Sequence, residues 1–135
     1  MTPNFLTSLQ KGRDARRKAD LHAVQSALEL YYEDKKAYPS ADSLVLIYDG
    51  NPHSLIDSAS GKIYMKLLPN DPLATNNYVY CVNATNSQYQ LYALLDNTQD
   101  PQIISPTQLV SCSTPTTCRT STNCNYGIAS SDTLP

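Results

Sequence analysis

Apolar side chains at Leu21, Val24, Leu28 and Tyr31 follow an i, i+3, i+7, i+10 spacing that lines one face of an α-helix. Ala27 and Tyr32 widen the stripe, and residues 3–18 ahead of it hold no breaker except Gly12. The pattern predicts one helix from about Asn4 to Lys36, about 50 Å long at 1.5 Å per residue. That is far longer than an ordinary globular helix. Leu21, Val24, Leu28 and Tyr31 are the predicted helix-to-sheet core. Residues 10–20 are charged nearly all round, which reads as a solvated stretch or a polar layer between subunits. Phe5, Leu6 and Leu9 form a short apolar patch with nothing local to bury it. Residues 4–18 are therefore expected to project. The remaining chain is too small to cover such a helix, so it is expected to pack against copies of itself or to have lost a partner.

The helix has reasons to stop. Lys35 and Lys36 place positive charge at the negative end of the macrodipole. Pro39 cannot continue a helix and drives Tyr38 out of the α region. Ser40 reads as the cap of a second, shorter helix over 41–48, closed by Asp49-Gly50. Residues 51–62 read as a polar linker, and 63–68 as one or two helical turns ended by Pro69 and Pro72. The period then changes to two. Segments 77–82 and 89–95 are rich in β formers and are joined by a polar turn at 83–87, which predicts an antiparallel hairpin. Residues 108–110 and Tyr126–Ala129 are candidates for a third and a fourth strand. The rest of 96–135 is rich in Pro, Ser, Thr, Asn and Cys and reads as loop.

Composition sharpens this picture. A chain of 135 residues is one domain by length. Its parts are a spine (1–36), a helical and loop region (37–76), a hairpin (77–95) and a loop-rich C-terminal region (96–135). With one Phe, no Trp and ten Tyr, tyrosine must supply the bulk of the core, on half-buried faces from which its hydroxyl reaches water. A net charge of -2 is too small to imply a polyanionic partner. Residues 1–20 carry five Lys/Arg and two Asp, while the rest carries five Lys/Arg and ten Asp/Glu, so a basic stalk and an acidic head could attract each other between subunits.

Cys81, Cys112, Cys118 and Cys124 include no Cys-x-x-Cys, and neither His lies at zinc-site spacing. Two disulfides and an oxidising compartment are expected. Four cysteines allow three pairings. The favoured one is Cys81–Cys124 with Cys112–Cys118 nested inside it, because Cys81 lies in the first predicted strand and Cys124 just precedes the last. The rival, Cys81–Cys112 with Cys118–Cys124, has nearly the same loop lengths. No stretch is apolar enough to span a membrane and no signal peptide is legible, so a soluble piece trimmed from a longer precursor, or a mature chain, is expected.

Catalytic chemistry is not legible. His22 reads as a helix-surface residue and His53 as a loop residue. Glu29 and Glu33, at i and i+4, read as a solvated face rather than an acid–base pair. Asp71-Pro72 reads as a turn start, and the sequon Asn83-Ala-Thr85 as a turn. Lys11, Arg13, Arg16, Arg17 and Lys18 lack the interleaved aromatics of a nucleic-acid surface, so subunit packing is the better role for them. No enzyme, catalytic residue, metal site or cofactor is predicted.

Pro3-Asn-Phe5, the basic helix, Ala27-Leu-x-x-Tyr-x-x-Asp34, Tyr38-Pro39, Tyr64-Met-x-x-Leu-Pro-x-Asp-Pro72 and Tyr78-Val-Tyr80 occur in that order. The series resembles the major pseudopilins of type II secretion and the related type IV pilins, from Pro3 to Leu95. The resemblance implies an α+β, pilin-like fold: a long N-terminal helix packed on a small antiparallel sheet, here with a disulfide-stapled C-terminal tail. It also implies an apolar membrane helix ahead of Pro3 that anchors the subunit and later forms the filament core, with Phe5, Leu6, Leu9, Arg13, Arg16 and Arg17 as the expected subunit-packing residues. The implied function is a structural subunit of a type IV pilus or type II secretion pseudopilus that polymerises through its N-terminal helix. The alternative is a minor, tip-located pilin that binds DNA, a surface or an exported substrate. Implied partners are copies of itself or other pilins, the assembly machinery, and a prepilin peptidase acting on the precursor; no nucleic acid is expected for a major subunit. The implied location is the bacterial cell envelope or an extracellular filament, with the precursor in the inner or cytoplasmic membrane.

Two departures from the family pattern carry expectations. Where the family often has a left-handed glycine before Tyr-Pro, this chain has Lys36, for which φ > 0 costs about 1 kcal/mol, so the helix is expected to end differently. The family's major pseudopilins also hold calcium in a C-terminal Asp/Gly-rich loop. Here Asp96, Asn97, Asp100 and Asp132 are scattered, with only Gly127 nearby, so disulfides are expected to clamp the tail instead.

Overall fold

A computed structural model describes residues 3–44, 46, 49–104 and 117–130, apart from the side chains of Pro3 and Asp42. Helix α1 (Pro3–Lys35) runs for 33 residues. A single 3-10 turn (Ala41–Ser43) follows it. Next come β1 (Leu55–Ile56), β2 (Ile63–Met65), β3 (Val79–Val82), β4 (Tyr89–Ala93), β5 (Thr117–Arg119), β6 (Thr122–Asn123) and β7 (Tyr126–Ala129). The strands form three antiparallel groups: β1-β2, β3-β4-β7 and β5-β6. The architecture is α+β and pilin-like, with one long helix packed on small antiparallel sheets.

The central strand is buried along its whole length. Alternation divides its side chains between two cores. Tyr89, Leu91 and Ala93 join Tyr78, Tyr80 and Tyr126 beneath Leu21, Val24, Ala27 and Leu28 of α1. Burying each such leucine contributes about 1.5–3 kcal/mol. On the opposite face Tyr92 and Leu94 pack with Val79, Cys118 and Cys124. Gly127 lies directly opposite Tyr92 in the ladder. A Cβ there would sit 2.6 Å from the Tyr92 ring, so only glycine lets the ring lie across β7.

The second core corrects the disulfide expectation. Cys118 bonds Cys124 across the β5–β6 hairpin, which rules out both Cys81–Cys124 and Cys112–Cys118. The two cysteines sit at the ends of a tight hairpin with Cα atoms 5.0 Å apart, a span a disulfide bridges without strain. Cys81 is buried and disulfide-bonded as well. Cys112 and the candidate strand 108–110 lie outside the described residues.

α1 does not end as expected. Lys36 takes the left-handed conformation after all, at φ 57°, and its N–H donates to the Tyr32 carbonyl at 2.7 Å. The β3–β4 turn grips the chain just beyond. Tyr38 N–H donates to the Asn86 carbonyl at 2.7 Å, Asn86 Nδ2 returns a bond to the Tyr38 carbonyl at 3.0 Å, and the Tyr80 hydroxyl donates to the Pro39 carbonyl at 2.7 Å. Together with the Tyr38–Tyr89 ring contact at 4.7 Å, these bonds offset the strain at Lys36.

Three local expectations fail between the spine and the hairpin. Of the helix predicted over 41–48, residues 41–43 form a 3-10 turn and Leu44 is already extended, with 45, 47 and 48 outside the described residues; the Ser40 hydroxyl bonds Ser43 Oγ rather than capping the backbone. The predicted linker contains β1, with Leu55 fully buried. The predicted turns at 63–68 begin as β2, paired to β1 around a turn that Asp57 closes by accepting bonds from Ser60 Oγ and Ala59 N–H. An apolar run this short has no periodicity to separate strand from helix.

Candidate functional site

α1 divides into an exposed end and a covered body. Phe5, Leu6 and Leu9 are 51%, 50% and 42% exposed, large values for apolar side chains sharing two turns. Leu21, Val24 and Leu28 are fully buried, and Tyr31 is half-buried against the Tyr64 ring. No described helix is long and apolar enough to cross a membrane.

The basic stretch between these parts differs most from the sequence reading. Residues 10–20 are not solvated all round, and the exposed end stops near Gln10 rather than Lys18. Arg17 is fully buried and Asp14 nearly so. The Arg17 guanidinium holds Asp71 through two bonds, Nε to Oδ2 at 2.8 Å and Nη2 to Oδ1 at 3.0 Å. Its Nη1 donates to Asp14 at 2.8 Å and lies 3.2 Å from Asp96. Arg13 Nε donates to Asp96 at 2.7 Å, and Lys18 Nζ to Asp100 at 2.7 Å. Asp14 also accepts the backbone N–H groups of Asp96 and Asn97 at 2.8 and 2.9 Å. Arg17 therefore faces its own domain, not a neighbouring subunit, and Arg13 is half-covered by the same loop. Arg16 points outward, 61% exposed and 3.8 Å from Asp20.

The electrostatics follow from this geometry. Burial works against the Arg17 charge, but its bonds to Asp71 and Asp14 and the nearby Asp96 overcome it and raise its pKa. Burial likewise opposes ionisation of Asp96, yet Arg13 and Arg17 hold its carboxyl below the usual range. The Lys18 bond and the Gln102 N–H lower Asp100. Asp20 goes the other way: burial raises it against the Tyr78 hydroxyl bond and Arg16.

The acidic face of α1 also has partners that the sequence reading missed. Glu29 is not simply solvated; it accepts the hydroxyls of Tyr38 and Tyr89 at 3.1 and 3.2 Å. Asp20 accepts Tyr78 Oη and Asp34 accepts Tyr64 Oη, both at 2.7 Å. The Tyr38, Tyr78 and Tyr89 rings are apolar bodies in the core with their polar ends on helix carboxylates, and half-buried Tyr64 repeats the arrangement at the edge of the core. Asp71 does start a turn, taking the Leu73 N–H at 2.8 Å, but it is also the main anchor of Arg17. Asn83 closes its turn by accepting the N–H groups of Ser87 and Gln88. His22 lies exposed beside Gln25, and His53 pairs with Asp49 in a loop at 2.9 Å.

The sequence carried one usable signal for the clamp. Extending the Leu28, Val24, Leu21 spacing backward lands on Arg17 and then Asp14. The buried stripe continues through charged residues, which a hydrophobicity pattern passes over.

A calcium ion does not fit Asp96, Asn97 and Asp100 as built; Asp132 lies outside the described residues. Calcium takes six to eight oxygen ligands at 2.3–2.6 Å. The Asp96 carboxylate is occupied by Arg13 and Arg17, Asp100 by Lys18 and the Gln102 N–H, and Asn97 Oδ1 by the Gln99 N–H. Among the described residues no group of three or more His, Cys, Asp or Glu is placed to hold a metal.

Residues 4–102 match the family model described as type II secretion system (T2SS), protein G. Among curated proteins, the type II secretion system core protein G of Pseudomonas aeruginosa is 32% identical over 98 residues, covering 70% of this chain and 67% of that protein. No solved structure matches the chain significantly.

Proposed function

The chain belongs to the type II secretion system protein G family, and from that membership we propose that it is a structural subunit of a secretion pseudopilus, packing against its neighbours through the first turns of α1. The observation that carries this reading is the exposed Phe5, Leu6 and Leu9 cluster in the first turns of a helix whose other end is locked in a core. Exposed apolar patches of this kind mark interaction surfaces. Outward-facing Arg16 and exposed Lys11 suit the acidic remainder of a neighbouring copy. The proposed partners are copies of this chain, other pseudopilins and the secretion machinery, with a prepilin peptidase acting on a precursor. The work done is assembly rather than catalysis, at the cell envelope.

One observation favours a tip-located binding role as a second reading. The disulfide-closed β5–β6 hairpin lies beyond the 4–102 match, so the chain adds a stapled element to the family's matched region.

Photo-crosslinking amino acids placed at Leu6, Leu9 and Thr120, in the precursor expressed with its secretion system, separate the two. Covalent ladders of this chain from Leu6 and Leu9 are the expected result. Adducts from Thr120 alone, to proteins other than this chain, would favour the tip reading.

A further inference from the structure

We infer that α1 does for this chain's acidic loop what a metal ion would do, so that its fold is independent of calcium. The inference rests on the family reading only for the expectation of a metal. The clamp itself rests on geometry. Within two turns of α1, Arg13, Arg17 and Lys18 face the loop that leaves β4, and each ends on a carboxylate at 96 or 100. Asp14, between them, takes the two backbone N–H groups that open the loop. The loop's charge is neutralised and its first amides are satisfied, the two tasks a bound cation and its ligand shell perform together. Lys18 also lies 5.6 Å over the Tyr126 ring, tying the loop to the edge strand β7.

A calcium ion at Asp96 or Asp100 must expel Arg13 or Lys18 from bonds of 2.7 Å. At Asp96 it must also sit beside the buried Arg17 charge, 3.2 Å from that carboxylate. Like charges that close disfavour the ion strongly in a partly desolvated site. The cations are covalently part of the helix and need no ion from the medium. The Cys118–Cys124 bond adds a second, equally metal-free constraint on the segment that returns to β7.

The test is thermal unfolding of the oxidised chain, followed by circular dichroism, in EGTA and then in millimolar calcium chloride, with magnesium chloride as the ionic-strength control. A ligand that binds only the folded state raises Tm with its concentration. The expected result is the same Tm in all three, within about 1 °C. A saturable rise of several degrees specific to calcium would overturn the inference. Lys18→Met and Asp100→Asn should each lower Tm by roughly 1–5 °C, equally with and without calcium. An unchanged Tm in both variants would overturn the clamp. If either variant fails to fold, the unmodified chain in EGTA still decides. None of these readouts depends on filament assembly, so failure here and failure of the assembly proposal are distinguishable.

Discussion

Arg17 and Leu28 lie about three turns apart on one face of α1, and both are fully buried. Leu28 is held by apolar area without regard to direction, against Tyr80, Tyr89 and Leu91 and their neighbours. Arg17 is held by directed bonds to Asp14, Asp71 and Asp96. The difference teaches how one stripe changes its mode of attachment along its length. Where the helix crosses the sheet, side chains from three strands supply a core. Where it runs past the sheet's end, only loops are available, and loops carry backbone N–H groups and turn-starting aspartates rather than apolar bulk. A buried arginine is the side chain that satisfies several of these at once, since it presents five donors in a fixed fork.

The largest expected effect breaks the comparison at its polar end. Arg17→Met leaves three carboxylates facing one another without their shared cation and should destabilise by about 3–5 kcal/mol. Leu28→Ala should cost about 2–5 kcal/mol, from lost apolar contact plus the cavity left behind. Urea unfolding of each oxidised variant measures both. A loss below about 1 kcal/mol at Arg17 would show that its ion pairs add nothing to the fold.

Acid should separate the two regions next. Asp96 and Asp100 are held low by Arg13, Arg17 and Lys18, and Asp57 is held to about 2 by the Ser60 hydroxyl bond and Lys35. A carboxyl lowered in the folded state adds stability that is complete above its unfolded pKa and is lost as pH falls through its folded pKa. Asp20, raised by burial, has the opposite sign, adding stability below its unfolded pKa and losing it as pH rises through its folded pKa. With more carboxyls lowered than raised, Tm should hold between about pH 7 and 5 and fall from about pH 4 toward 2. Leu28→Ala should shift that curve down without changing its shape. Arg17→Met should partly flatten it, because Asp96 then loses the Arg17 charge and bond and keeps only those of Arg13. Identical curves for the two variants would remove the electrostatic half of the comparison.

The same contrast explains what was legible in the sequence. Leu21, Val24 and Leu28 announce their burial within one short segment, and 77–82 with 89–95 announce a hairpin through a local turn. Arg17 announces nothing, because its anchor Asp71 lies 54 residues away in a stretch that looks like an ordinary turn. Glu29 looks like a solvated carboxylate until Tyr38 and Tyr89 converge on it from different parts of the chain. β1 and β2 are too short for any period, and only their pairing makes them strands. Lys36 shows a different limit. Its own preference opposes the left-handed cap, and the grip of Asn86 on Tyr38, 48 residues apart, prevails. At the N-terminal end of α1 the exposure of Phe5, Leu6 and Leu9 was legible, yet the sequence could not mark where exposure stops, since Asp14 and Arg17 read as polar.

The smallest expected effect lies at that end and completes the comparison. Leu9 is 42% exposed, as are its neighbours Phe5 and Leu6 to a greater degree, whereas Leu28 is fully buried. Leu9→Ala opens no cavity and should change the stability of the oxidised chain by no more than about 0.5 kcal/mol in urea unfolding. Leu28→Ala, the same chemical change on the same helix, exceeds that several-fold. If Leu9 instead serves contacts between subunits, its loss should appear only where subunits meet, as fewer cross-linked species in cells that assemble the precursor. A stability loss at Leu9 equal to that at Leu28 would mean that the domain covers α1 along its whole length. The exposed cluster would then be core, and the assembly surface would have to lie elsewhere.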